Sequence, residues 1–361
     1  MIKYILHISI LTLIILIASC DDMHDKLRTE DDLPVTETTR IYVLSEGLIN
    51  LNNSSLAMYD FGIGAKSSDY FLTANKRGLG DTANDMGLYG SKLYVVVNVS
   101  SQIEVLDAGT GLSLKQIPFF NEQNTARQPR YIDFHEGKAY VCSFDGTVAK
   151  IDTATLQIEG WVNCGRNPDG ICIANGKIYI SNSGGLNFPN YDNTVSVIDI
   201  VSFQEIKKIS VGINPYKIKA DSEGDVYVVT RGNYGSTAYR FHRINSVTDE
   251  VVQVFEDFSL LNFTIQNDTA YMYHYDYSTG RNQIMTFDCK TETLITDRFI
   301  TDDTKLTTPF GIDVNPINGD VYITDGKSYL TWGDVLCFNQ TGKLKFRLKE
   351  VGLNPNKVVF R

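Results

Sequence analysis

After residue 33 the apolar residues fall in short alternating or continuous runs, each closed by Gly, Asn, Asp or Pro. No 3.6-residue period outlasts two turns, so the pattern predicts strands rather than helices. One unit of that pattern repeats. A short strand with a Tyr near its start recurs as Arg40-Ile41-Tyr42, Lys92-Leu93-Tyr94, Lys138-Ala139-Tyr140, Lys177-Ile178-Tyr179, Asp225-Val226-Tyr227, Thr269-Ala270-Tyr271 and Asp320-Val321-Tyr322. After each Tyr a second strand ends in Asp or Asn, at Asp60, Asp107, Asp152, Asp199, Asn245, Asp288 and Asn339, and a turn and a further alternating strand follow.

A second signature precedes most copies: Gln128-Pro129-Arg130-Tyr131-Ile132, Asn167-Pro168-Asp169-Gly170-Ile171, Asn214-Pro215-Tyr216-Lys217-Ile218 and Thr308-Pro309-Phe310-Gly311-Ile312. Pro is tolerated at the first residue of a strand, where the ladder does not need its missing N–H. The second and sixth copies, at Asn84-Asp85-Met86 and Leu261-Asn262-Phe263, lack this Pro. Each unit thus reads as four short antiparallel strands in about 45 residues, the size of a propeller blade. The expected fold is all-β, a seven-bladed β-propeller over 34–361. Asn354-Pro355-Asn356-Lys357-Val358 repeats the inner-strand signature at the C-terminus with no Tyr strand after it, whereas the first copy has the Tyr strand alone. The last strand is therefore expected to complete the first blade and remove a free sheet edge.

Ahead of the propeller, residues 1–19 read as a signal peptide: Lys3, then an apolar stretch to Ala18 that is short for a bilayer span. Ile17-Ala18-Ser19-Cys20 resembles a bacterial lipobox, with Cys20 as the lipidated residue. Residues 20–33 form an acidic, solvated tether of the kind that resembles a surface-export signal, so an outer-membrane, lipid-anchored, surface-facing location is expected. Five further cysteines, Cys142, Cys164, Cys172, Cys289 and Cys337, are irregularly spaced without a C-x-x-C, which indicates neither a disulfide framework nor a zinc site. They read as small buried hydrophobes.

Composition narrows the partners. With 33 basic against 43 acidic residues and a net charge of −10, nothing would neutralise a row of phosphates, so nucleic acid is excluded as a partner. The loops after the Tyr strands differ most between copies and gather on one face of a propeller. They offer Asn187, Phe188 and Tyr191 in blade four, Arg231 and Tyr234 in blade five, Tyr275, Tyr277 and Arg281 in blade six, and Tyr329 and Trp332 in blade seven. Arg130, Asp169 and Tyr216 join them from the starts of the innermost strands. Any one of these side chains reads most simply as an ordinary exposed loop residue. Their clustering on blades four to seven favours a binding face, because aromatic rings give contact area at low entropic cost and Asn, Ser and Gly give adaptable hydrogen bonds.

Catalytic constellations are not found: no G-x-S-x-G, H-E-x-x-H, Walker loop or Gly-rich dinucleotide turn occurs. His135 and His242 fall in strands and read as structural, while His274 lies in a candidate loop. Asp85, Asp169, Asn262 and Asn356 are diluted by Arg130, Lys217 and Lys357, so the rim reads as a recognition surface rather than a cation cage. No metal, cofactor or catalytic role is expected, and a lactonase- or lyase-like propeller with a central metal stays as the less favoured alternative.

The strand grammar of Gly176 to Asn182 and Val195 to Asp199 resembles the YncE-like seven-bladed propellers over residues 40–361. Joined to an acidic tether on a lipidated cysteine, it is similar to the BtuG-like surface lipoproteins. The resemblance implies capture of cobalamin, as a ligand rather than a cofactor, on one propeller face and its delivery to a TonB-dependent outer-membrane transporter. Membrane contact would be through the lipid anchor alone. A glycan- or protein-binding propeller is the main alternative. The family supplies no residue-level motif here, so the loop residues above are assigned by position and chemistry, with Arg231 or Arg281 expected at the phosphate of a corrinoid.

Overall fold

The strand from Pro355 to Phe360 pairs antiparallel with Arg40–Ser45, placing Val359 opposite Tyr42 and Val358 opposite Val43. That pairing closes the ring as the sequence predicts. The computed structural model describes residues 37–256 and 258–361, so the signal peptide, Cys20 and the tether through residue 33 lie outside the described residues. Among the described residues the strands form seven four-stranded antiparallel sheets, six of them in plain chain order and the first completed by the C-terminus.

The innermost strands are Pro355–Phe360 in blade one, Ala83–Tyr89, Pro129–His135, Pro168–Ala174, Pro215–Ala220, Asn262–Gln266 and, in blade seven, Pro309–Val314. Each touches the innermost strand of the next blade, and the seventh touches the first. Buried apolar side chains divide into seven clusters, one at each blade–blade interface. Alternation along a strand sends its two faces to the two flanking interfaces. The Tyr strands are consequently buried on both faces, as in Lys177–Asn182.

The repeated Tyr and Asp have one shared purpose. The Asp or Asn ending the third strand accepts backbone N–H bonds two and three residues on, as Asp152 does from Ala154 and Thr155 and Asp288 does from Lys290 and Thr291. The turn then needs a left-handed residue four positions after the Asp or Asn, filled by Gly64, Gly111, Leu156, Phe203, Asp249 and Glu292. The carbonyl just after the Asp is left pointing at the previous blade. There the buried Tyr hydroxyl donates to it: Tyr42 to Ala108, Tyr94 to Thr153, Tyr179 to Ser246 and Tyr227 to Cys289. A buried phenol and a buried carbonyl thus satisfy each other across four of the interfaces.

A helix, Tyr70–Asn75, departs from the all-strand expectation. Asp69 caps it by accepting from Leu72 N, Lys76 ends it with φ 57°, and Phe71 enters the cluster between blades one and two. Six residues are too few to print a helical period on the sequence. The third strand of blade seven ends at Phe338, one residue before the expected Asn339. All five described cysteines are free; four are buried, and Cys164 is half-buried with its thiol donating to Gly146 O. Burial pushes the thiols of Cys142, Cys289 and Cys337 up to about 12, the behaviour of inert core residues.

Candidate functional site

The residue before a strand-initial Pro is left-handed in four of five cases, Gln128, Asn167, Asn214 and Asn354 but not Thr308, and Thr82 in blade two is left-handed too. Asn tolerates that conformation better than most residues, and Asn167 also donates from Nδ2 to Phe144 O. After the Pro, the pairing with the Tyr strand slips in blades three, four, five and seven. Such a bulge re-aims side chains, and here two successive residues of one strand, Arg130 with Tyr131 and Tyr216 with Lys217, line the same recess.

That recess, of about 660 Å³ and open to solvent, is also lined by Glu46, Asn84, Arg231, Asn262, Tyr273, Tyr277, Phe310 and Asn356. Asp169, 3 % exposed, joins its two arginines: Arg130 reaches Oδ1 at 2.7–2.8 Å and Arg231 reaches Oδ2 at 3.3 Å. Arg130 also donates to Asn84 Oδ1, and Asn84 Nδ2 donates to Glu46 at 2.6 Å. Both guanidiniums lie on rings, Arg231 at 3.9 Å from the centroid of Tyr216 and Arg130 at 4.5 Å from that of Phe144. The Tyr131 and Tyr216 hydroxyls meet at 3.0 Å, and burial pushes Tyr216 up to about 12. Burial also raises the pKa of Glu46, against the pull of Arg130. Close approach is built in at Gly170, where a Cβ would lie 2.4 Å from Tyr216 O.

Above the mouth, an edge-to-face series of rings runs from Phe188 to Tyr191 at 6.0 Å, on to Tyr234 at 6.0 Å and to Tyr239 at 6.4 Å. A second group pairs Tyr275 with Tyr277 at 4.9 Å and Phe310 with Tyr329 at 5.7 Å. Phe188 is 71 % exposed and Trp332 47 %. A buried Tyr273 hydroxyl ties the sixth blade to the seventh by donating to Phe310 O at 2.8 Å.

The structure therefore brings Arg130, Asp169, Tyr216 and Arg231 together at the mouth, with Tyr277 on its lining and Tyr234 beside Arg231. Three expected residues go elsewhere. Asn187 donates to Asn167 Oδ1 and lines a shallow recess with Asp145 and Asp192, because a 3₁₀ turn over Gly185–Asn187 folds its side chain back on the loop base. Arg281 lines a separate groove with His274 and Asp302, since the Asp276–Arg281 turn carries it away from the axis. Trp332 starts a strand opposite Leu353 and is not among the residues of the mouth. Residues absent from the sequence-based set, Glu46, Asn84, Tyr131, Tyr273 and Phe310, reach the mouth mainly from the innermost strands. The signal that could have found Phe310 is its position directly after a strand-initial Pro, the position that Arg130, Asp169 and Tyr216 also hold.

Residues 40–354 match the family described as "Domain of unknown function (DUF5074)". The chain belongs to that family. No curated protein matches this DUF5074 chain. Solved structures similar to it include a quinonprotein alcohol dehydrogenase-like protein from Bacteroides thetaiotaomicron, 15 % identical with TM-score 0.65, covering 90 % of this chain and 78 % of the other. Hydrazine synthase from Kuenenia stuttgartiensis is 17 % identical with TM-score 0.55, covering 69 % and 74 %. The computationally designed Ika8 protein is 13 % identical with TM-score 0.52, covering 88 % and 85 %. At these identities the likeness is one of fold, and the DUF5074 propeller's chemistry has to be argued from its own mouth and rim.

Proposed function

We propose that this DUF5074 propeller is a surface lipoprotein that binds cobalamin or a related corrinoid on the face formed by blades four to seven, and passes it to a TonB-dependent outer-membrane transporter. The observation that supports this reading is the ring series Phe188–Tyr191–Tyr234–Tyr239 beside an arginine-lined mouth. A corrinoid is a broad disc fringed with amides that carries a ribose-phosphate tail. Exposed rings would pack against the disc and benzimidazole, Asn and backbone groups would meet the amides, and Arg231 would face the phosphate. The protein acts in this reading by binding rather than catalysis, because Asp169 is held by two arginines and Glu46 is drawn towards its neutral form.

Calorimetric titration of residues 35–361, one compact unit, with cyanocobalamin tests the reading. Saturable one-to-one binding that is sharply weakened in Tyr234→Ser and Tyr277→Ser is the expected result. Absence of heat at high ligand excess would sink it and leave the face to a glycan or protein ligand.

A further inference from the structure

Both carboxylates of the recess below the mouth, Asp313 and Asp85, have partners. Lys357 pairs with Asp313, whose other oxygen accepts from Val358 N at 2.8 Å, and Asp85 accepts from Ile132 N at 3.1 Å. Lys217 differs. It lines both the mouth recess and the deeper recess on the axis. Among the described residues no carboxylate stands within ion-pair distance of its ammonium. Its close neighbours are rings, Tyr131 with the centroid at 3.9 Å and Tyr216 at 5.3 Å. Lys219, equally unpaired, lines only the deeper recess.

A partly desolvated cation without a counter-ion is unfavourable unless a ligand supplies one. Burial brings Lys217 down to about 7; Lys357 and Lys219 add to the fall, while Asp85 and Asp169, neither within ion-pair distance, offset it only in part. At the mouth both oxygens of Asp169 are engaged by arginines, and the Glu46 carboxyl, bonded by Asn84, is drawn towards its neutral form by burial, so neither pairs with Lys217. At the opening Arg231 Nε is buried without an acceptor, and Asn356 Oδ1 without a donor. We propose that Lys217 anchors an oxyanion subsite at the throat of the propeller, taking a phosphate group either as a free ion or as an ester of a larger ligand. The inference rests on reading this face as a binding face and does not depend on the ligand being a corrinoid.

The test uses the full chain in detergent and reads acetylation of individual lysines by mass spectrometry, with inorganic phosphate, dimethyl phosphate or acetate present at constant ionic strength. Phosphate is expected to slow acetylation of Lys217 about tenfold, the order of one charge-assisted contact, and to leave exposed Lys290 unchanged. Calorimetry should show saturable phosphate binding that Lys217→Met abolishes and Lys219→Met retains. Equal protection by dimethyl phosphate would assign an esterified phosphate, and protection by inorganic phosphate alone would assign the free ion; either outcome supports the subsite. Acetylation of Lys217 that is unaffected by phosphate, or slowed equally by acetate, would overturn it. Because the protection is read on the unmutated chain, the result does not depend on whether a variant folds. Loss of the corrinoid reading would show separately, as absence of cyanocobalamin binding in a chain that still binds phosphate.

Discussion

At the turn end of the blades, Asp60, Asp107, Asp152, Asp199, Asn245 and Asp288 fold one turn six times, each with a left-handed residue four positions on. At the opposite end, the corresponding connections range from the tight turn Phe144-Asp145-Gly146 in blade three to the long 183–193 loop of blade four. The regular end is where buried Tyr hydroxyls bind the neighbouring blade's turn carbonyls, so a change there would leave a buried polar group unpaired. The irregular end carries few such obligations. Its loops are free to vary in length and to hold exposed rings, which is how a repeat fold separates scaffold from recognition.

That contrast can be attacked from either end. The largest effect is expected at the turn end: Tyr227→Ala empties a site packed with Phe241 and Phe287 and should cost about 3–5 kcal/mol in urea unfolding. An effect below about 1 kcal/mol would show that the inter-blade layer does not hold the ring. Next is the mouth, where Asp169→Asn leaves Arg130 and Arg231 without their shared carboxylate and should cost about 3 kcal/mol, together with loss of ligand binding. Unchanged stability would mean that the two arginines find other partners.

His242 supplies a pH test of the scaffold. Burial, with Arg240 nearby, lowers its pKa to about 4, below the ordinary 6.5 of an unfolded chain. The folded state therefore resists protonation while the unfolded state accepts it. This contribution is complete above pH 6.5 and is lost as pH falls towards 4, up to about 3 kcal/mol. A His242→Gln chain should show a shallower fall in urea midpoint over that window, and an identical fall would reject the assignment. Tyr227→Phe, which removes only the bond to Cys289 O, should cost about 1 kcal/mol. Smallest of all, Phe188→Ser with Tyr234→Ser should shift stability by less than about 0.5 kcal/mol while weakening cyanocobalamin binding at least about tenfold. A loss of stability as large as that of Tyr227→Ala would place these rings in the scaffold and remove the contrast.

Much of the scaffold could be read from the chain. The Tyr strands, the Asp-ended strands and the Pro-initiated strands fall within a residue or two of their expected places, because each answers a local requirement: a ladder, an Asx turn, an N–H that is not needed. The Tyr70–Asn75 helix escaped because it is shorter than the period that would reveal it. The site was legible only in part. Arg130, Asp169, Tyr216 and Arg231 meet at the mouth as their positions suggested, but Asn187 and Arg281 are turned aside by the loops that carry them.

The sequence by itself determined the number of blades, the closure of the ring by Pro355–Phe360 and the face on which variable loops collect, since all three follow from a repeat and its phase. Only the tertiary structure decided which side chains converge. The bulge after the strand-initial Pro puts two neighbouring residues on the axis, so Tyr131 meets Tyr216 and Lys217 is left against rings with no carboxylate at ion-pair distance among the described residues. These are meetings between blades far apart in the chain, set by how inner strands pack round a common axis, and no local pattern encodes them.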